Sequence, residues 1–221
     1  GDNPARWKGN LDAVLAQPSK VKGGQHFKAV PFADVPRFMA DLRQRKGMAA
    51  RALEFTILTA ARSGEVRGAT WSEIDFESRL WIVPPERMKS GREHRVPLSD
   101  DAVKLLRNTP RLDGTDLVFP AARGGKLSDM SLSAVLRRME VNATVHGFRS
   151  SFRDWTAERT AYPNEVIEMC LAHAIGDKVE AAYRRGDLLN KRRNLMADWC
   201  AFCDGQGDAA SSEVVNMASA H

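Results

Sequence analysis

Apolar residues recur at helical spacing through most of the chain from Pro31 onward. Asp34, followed by Pro36, predicts the start of one helix, and a second apolar helix is predicted over residues 48–61. A third is predicted to begin at Ser99 or Asp100. The same periodicity predicts five later helices, at about residues 128–140, 146–159, 163–172, 176–184 and 187–203.

The period changes between residues 70 and 98, where three short segments are rich in Trp, Ile and Val. Thr70–Asp75, Leu80–Val83 and His94–Leu98 are separated by polar turns, a pattern typical of β-hairpins. The sequence therefore predicts a mostly α-helical fold with a small three-stranded antiparallel β-sheet. Lys89 is predicted on or beside the second hairpin.

Residues 1–30 contain Pro and Gly at positions that break any long periodicity, which predicts a linker. Residues 31–203 are predicted to form one domain, and the small, polar residues 204–221 a tail that is mobile or docks on another protomer. The chain begins with Gly1 rather than Met. We therefore expect a fragment of a larger protein.

The 221 residues carry a net charge of +5 with a pI near 9.3, which favours a polyanionic partner. No apolar run in the given sequence is long enough to span a membrane, and we expect no signal peptide. The three cysteines fit a reducing cytoplasm. The CxxC of Cys200 and Cys203 lies in an apolar helical stretch and favours two structural thiols over zinc or redox chemistry, although its role stays open.

Candidate chemistry is spread over both halves of the chain. The residues that could act on a phosphate are Arg62, Lys89, His146, Arg149, His173 and Tyr183. Arginine binds two phosphate oxygens at once and stays charged, so Arg62 and Arg149 are the candidates for binding the non-bridging oxygens. Alone, each residue has an ordinary alternative, such as a helix-terminal arginine, a solvated lysine, a core histidine or a packed aromatic ring.

In order and spacing these residues resemble the catalytic domain of the tyrosine recombinases, the integrases of phages and genomic islands, over about residues 31–200. The resemblance implies their fold and site-specific DNA recombination, the integration or excision of a mobile element, through a covalent 3′-phosphotyrosyl intermediate. It implies neither a metal nor a cofactor nor ATP.

The resemblance also implies individual roles. Tyr183, ten residues after His173, matches the nucleophile, and Lys89 the general acid, while Glu65 matches a supporting acidic position beside Arg62. His146 is the candidate base. The sequence leaves open whether His146 or Lys89 is the principal general acid.

The partners implied are double-stranded DNA attachment sites and other integrase protomers, which form a tetramer on DNA, although the fragment alone is compatible with a monomer. An accessory directionality factor is among the partners that the family allows. The implied location is the bacterial cytoplasm, with the nucleoid. Family members carry further DNA-binding domains, which we expect to be missing here.

Two other functions stay open. A type IB topoisomerase uses similar chemistry but religates the same strand, and a basic DNA-binding module would need no catalysis. A serine hydrolase is disfavoured, because Ala61 and Glu65 replace the glycines of a GxSxG motif around Ser63.

Overall fold

Eight α-helices and one β-sheet make up the computed structural model over the residues it describes, 28–173 and 186–206. Helices α1 to α8 are, in order, Val35–Arg43, Met48–Thr59, Ser63–Arg67, Asp100–Arg107, Met130–Arg138, Gly147–Arg159, Asn164–Cys170 and Leu189–Cys203. Strands β1 to β3 are Ile74–Asp75, Leu80–Val83 and His94–Pro97. Short 3₁₀ helices lie at Phe32–Asp34, Trp71–Glu73 and Pro85–Arg87.

Helix α2 is the centre of the fold. Eight of its 12 residues are buried, so it is apolar around almost its whole circumference, as expected of a core helix. It packs against α1, α3, α4, α5 and α8. The helix ends at Thr59 rather than at Ala61 as predicted, because Ala60 adopts a left-handed conformation (φ 50°) that turns the chain.

The predicted three-stranded antiparallel sheet is confirmed, with strand order β1-β2-β3. Strand β1 is shorter than predicted, because residues 71–73 form a 3₁₀ turn. The Glu73 carboxylate accepts from the Thr70 backbone N–H at 3.4 Å and from the Trp81 indole at 2.8 Å, which holds that turn against β2. In the second hairpin, Val83 pairs with His94, so the turn that carries Lys89 is closed at its base.

The C-terminal helices share an aromatic cluster. Trp155 of α6 and Trp199 of α8 are fully buried, with ring centroids 5.1 Å apart. The Trp199 indole also donates to the Ile57 carbonyl of α2 at 2.8 Å. Replacing either ring by alanine typically costs about 3–5 kcal/mol, because a cavity remains. This cluster fixes α6 and α8 against α2.

Several predictions fall on residues outside the described ranges. These are the linker over most of residues 1–30, the helix at 176–184 and most of the tail at 204–221. The predicted division into linker, domain and tail therefore stays a prediction. Among the helices described, none combines the length and the apolar character needed to cross a membrane.

Gly147, the first residue of α6, allows a close contact with the start of the described chain. A Cβ there would lie 2.8 Å from the Ala29 Cα and closer still to the Lys28 carbonyl oxygen. The same Lys28 carbonyl accepts from the Thr144 backbone N–H at 2.8 Å. Residues 28 and 29 are thus packed directly against the beginning of α6.

We expect Gly147→Ala to lower the free energy of unfolding by about 1–3 kcal/mol, because the backbone must move to accept the methyl group. An alanine inside a helix otherwise stabilises by up to about 1 kcal/mol relative to glycine. Gly64→Ala in α3 is the control, since its Cβ would meet only the Arg67 side chain, at 4.0 Å. Urea unfolding of both variants measures the effect. Equal stability of the two would contradict the contact.

Candidate active site

Two helix ends meet at the proposed site. Helix α2 is followed by Ala60 and helix α7 by Leu171 and Ala172; Ala60 and Ala172 both have positive φ, 50° and 49°. A helix C-terminus leaves carbonyl groups without partners inside the helix and carries partial negative charge. Here these carbonyls accept hydrogen bonds from two arginines of other elements.

Arg149 lies in the first turn of α6 and is 5% exposed. Its guanidinium donates to the Ala60 carbonyl and, at 2.6 Å, to the Leu171 carbonyl, so it joins the ends of α2 and α7. Burial, and then the nearby charge of Arg62, lowers the pKa of Arg149 to about 10. The group is still charged at neutral pH, but its charge is incompletely compensated.

Arg62 lies between α2 and α3, in extended conformation. Its guanidinium donates to the Ala172 carbonyl at 3.1 Å and to the Glu65 carboxylate at 2.9 Å. Glu65 also accepts from the Arg62 backbone N–H at 3.1 Å. Arg62 does bind a C-terminal carbonyl, the ordinary role considered for it, but the carbonyl belongs to α7 rather than to the preceding helix.

His173 follows α7 and contacts Arg149: its Nε2 lies 3.0 Å from an Arg149 nitrogen, and its Nδ1 lies 2.7 Å from a Glu168 oxygen. Arginine can only donate, so Nε2 accepts, and Nδ1 carries the proton that is donated to Glu168. Its side chain is 37% exposed. The imidazole is therefore not fully buried in the core.

His146 immediately precedes α6, one turn before Arg149. Its pKa is lowered, first by partial burial and then by the positive charges of Arg149 and Arg62, with a smaller contribution from His173. The predicted proximity of His146 and Arg149 is thus found in the structure. A pKa below the usual histidine value leaves the imidazole neutral at pH 7.

The structure does not join the other two predicted residues to this cluster. Lys89 is exposed in the turn between β2 and β3, and its ammonium makes no hydrogen bond or ion pair with another described residue. Tyr183 lies outside the described residues. The predicted roles of Lys89 and Tyr183 stay predictions.

Three residues near the cluster were missed by the sequence analysis. Glu168 orients His173 and also binds Arg153 at 2.7 Å. Arg192 of α8, 2% exposed, donates to the Arg95 carbonyl of β3. His94 of β3 is affected by the charges of Arg192, Arg62 and Arg149.

All three cysteines are buried and reduced. Burial raises the pKa of the Cys200 thiol to about 12 and that of Cys170 to about 11, and raises the pKa of Cys203 well above its usual range. Thiols of this kind are poor nucleophiles and poor metal ligands. The structure therefore agrees with the interpretation of Cys200 and Cys203 as packing residues.

A groove of about 740 Å³ lies elsewhere, around residues 45–51 at the start of α2. The 12 residues of α2 separate its two ends by roughly 18 Å at about 1.5 Å per residue. That groove is thus far from the arginine pair, and although it is large, we assign it no role in the chemistry of the pair.

The cluster can bind an anion. Arg62 and Arg149 lie close enough for the charge of the first to affect the pKa of the second, while Glu65 and Glu168 only partly compensate them. Fixed cationic donors of this kind stabilise the negative charge that develops on a phosphate oxygen during displacement. In residues 28–173 and 186–206, no three metal-ligating side chains come together.

Comparison with protein families identifies a match to the model of the phage integrase family over residues 28–188. The integrase of Enterobacteria phage P4 is 32% identical over 217 residues, an alignment that covers 88% of this chain and 49% of the phage protein. The prophage integrase IntA of Escherichia coli K12 is 34% identical over 197 residues, which cover 86% of this chain and 46% of IntA. The chain thus spans about half the length of these relatives.

Among solved structures, a λ integrase tetramer bound to a Holliday junction is similar, with a TM-score of 0.55 and 18% identity. The alignment covers 80% of this chain and 52% of the λ protein. At this identity the likeness concerns the fold alone, which is that of a tyrosine recombinase catalytic domain.

His94 generates a prediction about stability and pH. Burial, followed by the charges of Arg192, Arg62 and Arg149, lowers its pKa to about 3. In the unfolded chain the pKa of this histidine is about 6.5. Between pH ~6.5 and ~3 the unfolded chain therefore binds a proton that the folded chain does not bind. The stability contributed by neutral His94 is lost as pH falls through that window.

We therefore expect the unaltered chain to lose up to about 2 kcal/mol more than His94→Gln between pH 7.5 and pH 5, because glutamine does not titrate. Urea unfolding of both proteins at the two pH values measures this difference. The carboxylates that contribute to acid sensitivity are common to both proteins. Parallel losses of stability would show that His94 titrates normally.

Proposed function

Because the chain belongs to the phage integrase family, we propose that it is the catalytic domain of a tyrosine-type site-specific DNA recombinase. The observation that carries the proposal is the convergence of Arg62, Arg149 and His173, from three different elements, on the ends of α2 and α7. These three residues belong to the constellation that the sequence predicts. Their grouping also argues against independent ordinary roles for each of them.

In the first step, the Tyr183 phenol loses its proton to a base, for which His146 is the candidate, and its oxygen attacks the scissile phosphorus. The bond from phosphorus to the 5′-oxygen breaks, and that oxygen receives a proton. The products are a 3′-phosphotyrosyl bond and a free 5′-hydroxyl. Arg62 and Arg149 stabilise the negative charge on the non-bridging oxygens, and Glu65 holds Arg62 in place.

In the second step, a 5′-hydroxyl from another strand attacks the phosphotyrosyl bond and releases the Tyr183 oxygen. One phosphodiester replaces another, so no ATP is consumed. The proton movements are the reverse of those in the first step. Lys89 and His146 are the two candidates for the general acid.

We also propose that the carbonyls that accept from the two arginines preorganise them for the reaction. They fix each guanidinium before DNA arrives, so little reorganisation remains for the reaction itself. His173 is fixed in the same way, between Arg149 and Glu168. Preorganised donors stabilise the transition state more than mobile donors do, because the entropy of ordering them has already been lost on folding.

The proposed partners are double-stranded attachment sites and further copies of the recombinase. Support comes from the net charge of +5 and from the λ integrase in the solved structure, which is a tetramer on a Holliday junction. An accessory directionality factor belongs to the same proposal, as does action on bacterial DNA in the cytoplasm.

The topoisomerase alternative shares the first step but returns the same 5′-hydroxyl to the phosphotyrosine. Strand exchange between two labelled duplexes therefore distinguishes recombination from relaxation. A non-catalytic DNA-binding module would form no covalent adduct at all. The family match favours recombination over both.

The nucleophile gives the first test. We expect Tyr183→Phe to abolish the covalent adduct on a nicked duplex that carries the element's attachment site, because only the attacking oxygen is removed. DNA affinity should stay within about threefold, since each phosphate contact is a small part of the total. Denaturing gel electrophoresis of protein and labelled DNA measures the adduct.

Tyr162→Phe is the matched control, because the chain has only these two tyrosines. The Tyr162 hydroxyl donates to Asp198 at 2.6 Å, so its loss should cost about 1 kcal/mol of stability but leave the adduct. An adduct that survives in Tyr183→Phe, or disappears only in Tyr162→Phe, contradicts the assignment.

The arginine pair gives the second test. We expect Arg149→Lys to reduce the rate of adduct formation by about 10²–10³-fold, because an ammonium cannot replace the planar guanidinium toward two carbonyls and a phosphate. Arg37→Lys on the exposed face of α1 is the control and should change the rate by less than about threefold. Equal rates for the two variants would remove Arg149 from the mechanism.

A further inference from the structure

The turn that carries Lys89 is attached to the domain on both sides. On the side of β2, the Arg87 guanidinium donates to the Glu73 carboxylate and to the Glu65 carbonyl. Glu65 is the residue whose carboxylate holds Arg62. One end of the turn is therefore connected to the first arginine of the pair through a single residue.

The turn itself has a defined backbone. The Gly91 N–H donates to the Met88 carbonyl at 3.0 Å, and Gly91 has a left-handed conformation (φ 64°). Met88 is buried in the core, whereas Lys89 and Ser90 are exposed. With the backbone closed in this way, the position of the Lys89 ammonium depends on its own four-carbon side chain and on the two attachments of the turn.

His94 provides the attachment on the side of β3. It pairs with Val83 across the hairpin and is partly buried against the end of α7, where the Cys170 backbone interacts with its ring. The next two carbonyls, of Leu171 and Ala172, hold Arg149 and Arg62. The imidazole remains neutral among the arginines, as its lowered pKa indicates, so it can bind there without adding a further positive charge.

We propose that His94 is a positioning residue, which together with Arg87 fixes the Lys89 turn relative to the arginine pair. The inference rests on the proposed function and on Lys89, one of its two candidates for the general acid, as the donor of a proton to the leaving 5′-oxygen. His94 itself does not reach the DNA in this proposal. It acts through the backbone of the turn, five residues after Lys89, and through the end of α7.

The test compares two forms of the same nicked attachment-site duplex, with oxygen or sulfur at the bridging 5′-position. A 5′-thiolate leaves without being protonated, because the pKa of a thiol lies far below that of an alcohol. A defect in the general acid, or in its position, therefore appears with oxygen and is relieved with sulfur. A defect in the arginines persists with both.

We expect His94→Thr to slow adduct formation about 10–100-fold with oxygen, part of the 10²–10⁴-fold effect of a general acid, and less than about threefold with sulfur. Threonine suits a β-strand but is too short to reach Cys170. His94→Gln, which keeps a donor of similar reach, should recover most of the rate with oxygen. Lys89→Ala should be relieved by sulfur, whereas Arg149→Lys should not.

An equal loss with both substrates would show that His94 is merely structural, and an unchanged rate would show that it is unnecessary; either result overturns the inference. Should His94→Thr fail to give cooperative urea unfolding, Arg87→Gln provides the same comparison at the other end of the turn.

The absence of an adduct from the unaltered chain with both substrates would instead overturn the proposed function, and the inference with it. A Lys89→Ala defect that sulfur does not relieve would exclude Lys89 as the acid.

Discussion

The site depends on backbone carbonyls at two helix ends. Helices α2 and α7 both stop before alanines in left-handed conformation, and the carbonyls left over accept from Arg62 and Arg149. An arginine buried without such acceptors would be strongly destabilising. The carbonyls also provide partial negative charge, in addition to the Glu65 carboxylate that pairs with Arg62. The carbonyl groups that become free where the two helices end thus also determine the electrostatic environment of the two arginines.

The two arginines also join distant parts of the sequence. Arg149 of α6 connects Ala60 with Leu171, which lie 111 positions apart along the chain by their residue numbers. The aromatic cluster around Trp155 and Trp199 joins α6 and α8 to α2 as well. The positions of the candidate site residues are therefore determined by the packing of the whole domain rather than by one loop.

Much of this could be predicted from the sequence, because apolar periodicity is a local signal. It predicted the three strands and every α-helix of the described residues except α3, and it placed Arg62, Glu65, His146, Arg149 and His173 in suitable local contexts. It did not predict the end of α2, because alanine, unlike glycine or asparagine, does not indicate the left-handed conformation that Ala60 adopts. The acceptors of the arginines were not predictable either, because every residue has a carbonyl. His94, Glu168 and Arg192 were missed for a related reason: their importance comes from neighbours far away in sequence.

The buried cysteines have a consequence for the dynamics of the domain. Cys200 of α8 lies under Ser99 and near the Leu58 carbonyl, and Cys203 is buried one turn later. Because both sulfurs are buried, a reagent that attacks thiols reaches them only when the packing around α8 opens locally, and the rate of modification measures how often this opening occurs. The native cysteines of α8 can thus serve as probes of local opening in the helix that follows Tyr183 in sequence, without the introduction of a label.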